Sequence, residues 1–424
     1  MLHSSSLLTV ESVSIDTTTT TTTTKVHPLP KGTRTGATFN LANCAVGAGV
    51  LGLPFAIASA GLALGWILLI FLSLIAWLGL RFIVYAATAT RANSYEDLVA
   101  RVAGDRAATA FKLLIVAYSM GVAVGYIVIV GDLMPKVVGH WIDGDAGDDE
   151  ASRSFWASRA VWQTLPTFAV MLPLSSLRSI DSLRHASMLA IAAIMSLSSP
   201  SSSAPRTKHV TWFSFTPDIF VATPIIAFAL GGHLQSVAIF KDLAPQKQSL
   251  ANWNLIAMYV VVGLSSLYAA VASFAYMQHG AEVEANVLLS FASSDVLVQI
   301  SAIAISVVVT LSYPLFVWSL RNSLDMLLFP DARPAPFARL LALSIGIVAS
   351  TYTIAILFPD IKFILSFLGS TGAVLIKFVV PSYLYLRTAP PDDSRMRIGA
   401  WAVLIVGVVV GLVSTTVVLV GAAS

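Results

Sequence analysis

Hydrophobic residues in this chain come in long unbroken runs separated by short polar segments. The runs fall at 38–60, 64–89, 109–132, 158–177, 185–203, 217–240, 253–277, 295–318, 337–358, 361–386 and 397–421. A run of about 20 apolar residues matches the roughly 30 Å hydrocarbon core of a bilayer at 1.5 Å per residue. Eleven of them predict an all-α polytopic membrane protein with about 11 transmembrane helices. The polar remainder supplies loops and an N-terminal tail, so the chain divides into residues 1–37 and one transmembrane domain, 38–424.

Two runs break their own pattern. The first reads Asn40-Leu-Ala-Asn43-Cys-Ala-Val-Gly47-Ala-Gly49-Val-Leu-Gly52-Leu-Pro54, and the sixth carries Pro217, Pro224, Gly231 and Gly232. Helix breakers at membrane depth free backbone N–H and C=O groups that lipid cannot satisfy, so such a break belongs against a cavity or a polar solute. Small residues that let helices approach closely are the competing explanation, and it is favoured for Gly79 and Gly125. The two breaks lie five helices apart. A pair of interrupted helices at matching positions predicts an inverted 5+5 repeat of the leucine-transporter type, with the eleventh helix outside the repeat.

Composition agrees: 56% of residues are hydrophobic and 11% charged, against about 25% charged in soluble domains. The formal charge of +3 hides an asymmetry. With the N-terminus in the cytosol, 17 Lys and Arg fall on the inner side and 6 on the outer, as the positive-inside rule requires. Basic charge thus follows topology, and nucleic acid is not an expected partner. Without a fifth crossing the split would be 12 against 11, so the short, serine-rich run at 185–203 is expected to cross. The C-terminus then lies outside the cytosol.

The remaining features exclude more than they assign. Residues 1–37, with eight consecutive threonines from Thr17 to Thr24, have the composition of a disordered tail and lack the apolar centre of a signal peptide. Cys44 is the single cysteine, so no intramolecular disulfide forms. Gly47-x-Gly49-x-x-Gly52 spells a dinucleotide fingerprint, yet that chemistry needs a preceding strand and an acidic residue about 20 positions on. No Asp or Glu occurs between Asp16 and Glu96, and the match is coincidental. The acidic 139–157 stretch is read as a solvated loop.

The run from Phe39 to Phe55, followed by Ala60-Gly61, resembles the first span of the amino acid/auxin permease family. Ser94-Tyr95-Glu96-Asp97-Leu98, Gly125-Tyr126 through Pro135, and Ile226-Ala227-Phe228-Ala-Leu-Gly-Gly-His233 with Phe240-Lys241-Asp242 are similar to later family segments. So are Thr310-Leu-Ser312-Tyr313-Pro314 with Arg321, and Gly369-Ser370-Thr371-Gly372 with Pro381. The likeness covers most of residues 38–390, in family order. Gly-Gly before His233 and the short fifth run depart from animal relatives.

An amino-acid zwitterion needs partners for both its charges. N–H groups at a half-helix start suit the carboxylate, which points to the backbone of Gly47, Ala48, Gly49 and Val50. Unwound carbonyls suit the ammonium, which points to Ala227, Phe228 and Leu230; the resemblance implies the same arrangement. Phe228, Tyr313 and Trp318 are candidate neighbours of the substrate side chain, with ordinary packing the alternative for each. No Asp or Glu lies in the interior of a span, so a coupling Na+ would need neutral oxygens. The resemblance places such a site between spans one and eight, at Asn43, Val46, Thr310 and Ser312. For a coupling H+ the titratable candidates are His233 and Lys377; Lys377 snorkelling to the interface is the alternative.

These readings converge on a secondary active transporter of small neutral amino acids that works by alternating access, coupled to Na+ or H+, in the plasma membrane or a vacuole or lysosome. The alternative is a membrane-embedded amino-acid sensor signalling to a cytosolic partner without net transport. No cofactor, metal or protein partner is indicated. Enzyme chemistry would need paired carboxylates or metal-ligand clusters within the spans, and the sequence has neither.

Overall fold

A computed structural model of the chain describes residues 32–143, 155–177, 209–329 and 335–423. Among these residues the regular structure is helical throughout. Seven helices are long and apolar enough to cross a bilayer, and a bent pair at the N-terminus makes an eighth span. The expected fifth span, 185–203, and residues 1–31 of the expected tail lie outside the described residues.

That bent pair is α1 (Arg34–Ala45) and α2 (Gly49–Ala60), set at 65° to one another. α1 starts after Thr33, whose side chain accepts a hydrogen bond from Gly36 N at 3.1 Å and so caps it. Next come α3 (Leu62–Thr90), the short amphipathic α4 (Tyr95–Ala103) and α5 (Asp105–Asp143). Ser94 caps α4 by accepting from Asp97 N. Arg101 Nε donates to Asp97 Oδ1 at 2.8 Å and holds that carboxyl below the usual carboxylate range.

The fourth span is not one regular helix. It comprises α6 (Arg159–Pro166), a π-helical turn (Thr167–Met171) and α7 (Leu172–Ser175). Pro166 and Pro173 remove N–H donors from the ladder, which accounts for the wide turn between them. The sixth span is split into α8 (Ile219–Ala229) and α9 (Ser236–Lys241). Then follow α10 (Leu250–His279), α11 (Val296–Leu328) and α12 (Phe337–Leu357). The tenth span runs as α13 (Ile361–Leu368), π-helical turns at Gly369–Ala373 and Leu375–Val379, and α14 (Val380–Thr388); α15 (Ser394–Ala423) ends the chain.

Packing places the two interrupted spans at the centre. α2 lies along α8, and α10 braces α1, α2 and α3. The turn at Gly369–Ala373 and α15 cover the other side of α8, while α5 and α11 run against each other as a long outer pair. At the far end of that pair Arg321 is buried and donates to Ser175 O at 2.9 Å, Leu177 O at 3.1 Å and Ser344 Oγ at 3.0 Å. It thereby satisfies carbonyls that α7 leaves open where it stops.

Candidate functional site

Both breaks follow from local sequence. α1 stops at Ala45 because Val46 turns extended (φ −73°, ψ 117°), and α2 restarts at Gly49. Val50 N and Leu51 N donate back to Gly47 O and Ala48 O. The N–H groups of Ala48 and Gly49 are left without an intrahelical acceptor, at the positive end of α2. α8 stops at Ala229, and Gly232 follows at φ +93°, a conformation that glycine adopts without a steric penalty.

The broken segments touch. A Cβ at Gly49 would fall 2.7 Å from Ala229 Cα and 3.0 Å from Phe228 Cδ1, and one at Gly231 would fall 3.0 Å from Ala45 Cα. Close packing, weighed from sequence as the alternative to a solute site, is thus observed at these glycines. The grooves elsewhere are peripheral: one of about 540 Å³ lies between α3 and α10, lined by residues such as Trp66, Ile70 and Val262.

Accounting for the carbonyls at the end of α8 changes the sequence-based assignment. Ile226 O accepts from Leu230 N at 3.3 Å. Ala227 O and Phe228 O both accept from Lys377 Nζ, at 2.8 and 2.9 Å. Ala229 O accepts from Gly231 N at 3.1 Å and lies 3.4 Å from Tyr268 Oη, which is also 3.5 Å from Ala45 O. The carbonyls of Ala227 and Phe228, expected to face a substrate ammonium, are therefore held by a side chain of the protein itself. The carbonyls where the two breaks converge are those of Ala45 and Ala229, with the fully buried Tyr268 between them.

Other expected residues divide between this junction and elsewhere. Gly47, Ala48, Gly49 and Val50 line the first break, and Leu230 is buried in the second. The Phe228 ring centroid lies 6.1 Å from that of Tyr118 on α5 and 5.9 Å from Lys377 Nζ, so Phe228 does belong to the junction. Tyr313 does not: its hydroxyl is hydrogen-bonded to Thr351 Oγ1 on α12 at 2.6 Å. Trp318 is 42% exposed on the flank of α11. His233 Nε2 donates to Ala76 O at 3.0 Å, pinning the second break to α3.

The four proposed sodium ligands come from two parts of the fold. Thr310 is buried and Ser312 half-buried on α11, which packs along α5 and α12. Asn43 and Val46 are half-buried at the end of α1, which packs on α9 and α10. Neither half of span one shares an extended contact with α11. Sequence reading also passed over Tyr268, Tyr118 and Tyr126. A signal was present, because a tyrosine inside an apolar span requires a partner for its hydroxyl.

Known proteins resemble this chain along nearly its whole length. The family described as "Transmembrane amino acid transporter protein" matches residues 30–422. Amino acid transporter AVT6E of Arabidopsis thaliana is 27% identical over 409 residues, covering 90% of this chain and 82% of the relative. Sodium-coupled neutral amino acid transporter 7 of Xenopus laevis is 26% identical over 399 residues, covering 90% and 86%. Vacuolar amino acid transporter 5 of Schizosaccharomyces pombe is 27% identical over 369 residues, covering 84% and 86%. Among solved structures, MhsT in complex with L-phenylalanine superposes with a TM-score of 0.58 at 17% identity, over 91% of this chain and 98% of MhsT. That likeness fixes the fold as the leucine-transporter type. With a family match from residue 30 to 422, this multi-pass membrane protein belongs to the transmembrane amino acid transporter family.

Proposed function

We propose that this protein is a secondary transporter that carries small neutral amino acids across its membrane by alternating access. One observation carries the reading: two interrupted spans meet so that a helix start and two helix ends converge on one point. The free N–H groups of Ala48 and Gly49, with Gly47 and Val50 beside them, suit a carboxylate. Ala45 O, Ala229 O and the Tyr268 hydroxyl suit an ammonium, in place of the Ala227 and Phe228 carbonyls that Lys377 holds. Phe228 and Tyr118 then bound the side-chain end of the substrate.

In the present conformation Ala229 closes on Gly49, so the substrate enters only when the breaks part. Movement of one bundle against the other around a fixed site is the mechanics of such folds. The names of the relatives, neutral amino acid and vacuolar amino acid transporters, support this substrate class, and the second supports a vacuolar membrane. The excess of Lys and Arg on one side supports a cytosolic N-terminus.

Proteoliposomes preloaded with unlabelled neutral amino acids test the proposal. The expected result is uptake of radiolabelled substrate by counterflow, saturable and competed by other small neutral amino acids. Imposing Na+ and pH gradients separately then identifies the coupling ion, and equal uptake in choline and sodium removes the Asn43, Val46, Thr310 and Ser312 assignment. Saturable binding without counterflow would contradict transport and favour a sensor.

A further inference from the structure

The tenth span departs from α-helical winding at two successive turns, Gly369–Ala373 and Leu375–Val379. Such wide turns commonly occur at functional positions. Their effect here is to send the side chain of Lys377 into the end of α8. The residue is 2% exposed and its ammonium donates to two carbonyls, those of Ala227 and Phe228.

Among the described residues no carboxylate is paired with that ammonium. Arg81 and Tyr85 lie on α3, Tyr95 on α4 donates to Ile376 O, His233 follows α8, and Tyr385 is on the helix itself. The packed stretch 398–423 of α15 and the whole of α8 contain no ionisable side chain. A cation at membrane depth with only backbone dipoles for company marks an ion or proton pathway. The occupied carbonyls belong to the same interrupted helix whose next carbonyl, Ala229 O, faces the substrate junction.

We propose that Lys377 is the coupling residue of the transporter, exchanging one proton per cycle while it binds and releases the Ala227 and Phe228 carbonyls; this rests on the transport reading above. When the ammonium is charged, both carbonyls are held and α8 keeps its end against α2. When the breaks open to one side, Lys377 gives its proton to water there and becomes a neutral amine. It takes a proton from water on the other side, and no bond other than N–H changes. The amine then holds the carbonyls weakly, and α8 is free to shift.

The test uses full-length protein in proteoliposomes, as wild type, Lys377→Gln and Lys377→Arg. Glutamine keeps an N–H donor without charge, and arginine keeps a charge that does not leave. The wild type is expected to accumulate radiolabelled neutral amino acid when an inward proton gradient is imposed. Lys377→Gln, which cannot clamp α8 with a charge, is expected to keep measurable counterflow that no longer changes with pH and to accumulate no more with the gradient than without it; Lys377→Arg, whose charge never leaves, is expected to lose both. Concentrative uptake by either variant would overturn the inference. So would loss of counterflow and accumulation together in Lys377→Gln, because that is the signature of a helix clamp alone. A wild type that shows counterflow and ignores the proton gradient overturns the inference and leaves transport standing. A wild type without counterflow removes the transport reading itself.

Discussion

At Tyr268, a single hydroxyl stands between the carbonyls of two broken helices. Both contacts are long, and one O–H donates fully to one acceptor at a time, so a second donor is wanted at this point. An ammonium group supplies it. Tyr268→Phe deletes the oxygen with little change in shape, and a hydrogen bond to a charged group contributes roughly 1.5–3 kcal/mol. The expected outcome is a rise in KM of at least about tenfold, the equivalent of 1.4 kcal/mol, with kcat and protein yield near wild type. Initial rates of uptake over a range of substrate concentrations measure it; an unchanged KM would take Tyr268 out of the site. Residues of this kind were the least legible in the sequence. Gly47, Gly49 and Gly231 announce themselves because they stand in clusters of glycine and proline within a span, whereas Tyr268 is one of three tyrosines in a long apolar run. Lys377 was conspicuous as a charge among apolar residues, but its partners come from a helix about 150 positions away in sequence, beyond anything local spacing reports.

Elements were read more readily, since hydrophobic run length and helix breakers are local properties. The first break falls at Val46–Ala48, at the start of the glycine cluster whose Gly49 and Gly52 lie within α2, the second holds Gly231 and Gly232, and the ends of α3, α12 and α15 lie close to those the apolar runs predicted. What local sequence did not report is how the pieces pair: α11 turns Tyr313 toward α12. The contact between breaks gives the element-scale prediction. Gly231→Ala places a methyl group 3.0 Å from Ala45 Cα, and overpacking of this kind costs about 1–3 kcal/mol. Counterflow should fall by more than about tenfold and the melting temperature by a few degrees. Full counterflow would show that the breaks tolerate separation. As a contrast, Asp97→Asn lies on α4, away from the junction. Its carboxyl is held below the usual range in the folded state, so its contribution is complete above the ordinary carboxylate pKa and disappears as the pH falls through the depressed value. Counterflow at neutral pH should be unchanged in that variant. Any melting-temperature deficit should vanish in acid.

Across the whole molecule, the arrangement is a pair of broken helices clamped between α10 on one side and the tenth and eleventh spans on the other. Distant parts hold that clamp in register. Arg321 ties α11 to the end of α7 and to α12 through Ser344. Arg321→Met would take the guanidinium donor from two carbonyls, Ser175 O and Leu177 O, and from Ser344 Oγ, and a polar group left without its partner costs about 1–3 kcal/mol. Loss of monodisperse protein on size exclusion is expected, whereas Arg321→Lys should be recovered with a lowered melting temperature. The family and fold were legible from the sequence because run count, charge asymmetry and motif order survive at low identity. The internal geometry was not, because it depends on which helix faces meet. The most direct measurement is a structure of the protein with a small neutral amino acid bound. It should show the carboxylate against the N–H groups of Ala48 and Gly49, and the ammonium between Ala45 O and Ala229 O, with the breaks parted to admit it. Density for the amino acid in the groove between α3 and α10, or anywhere outside the junction, would contradict the account.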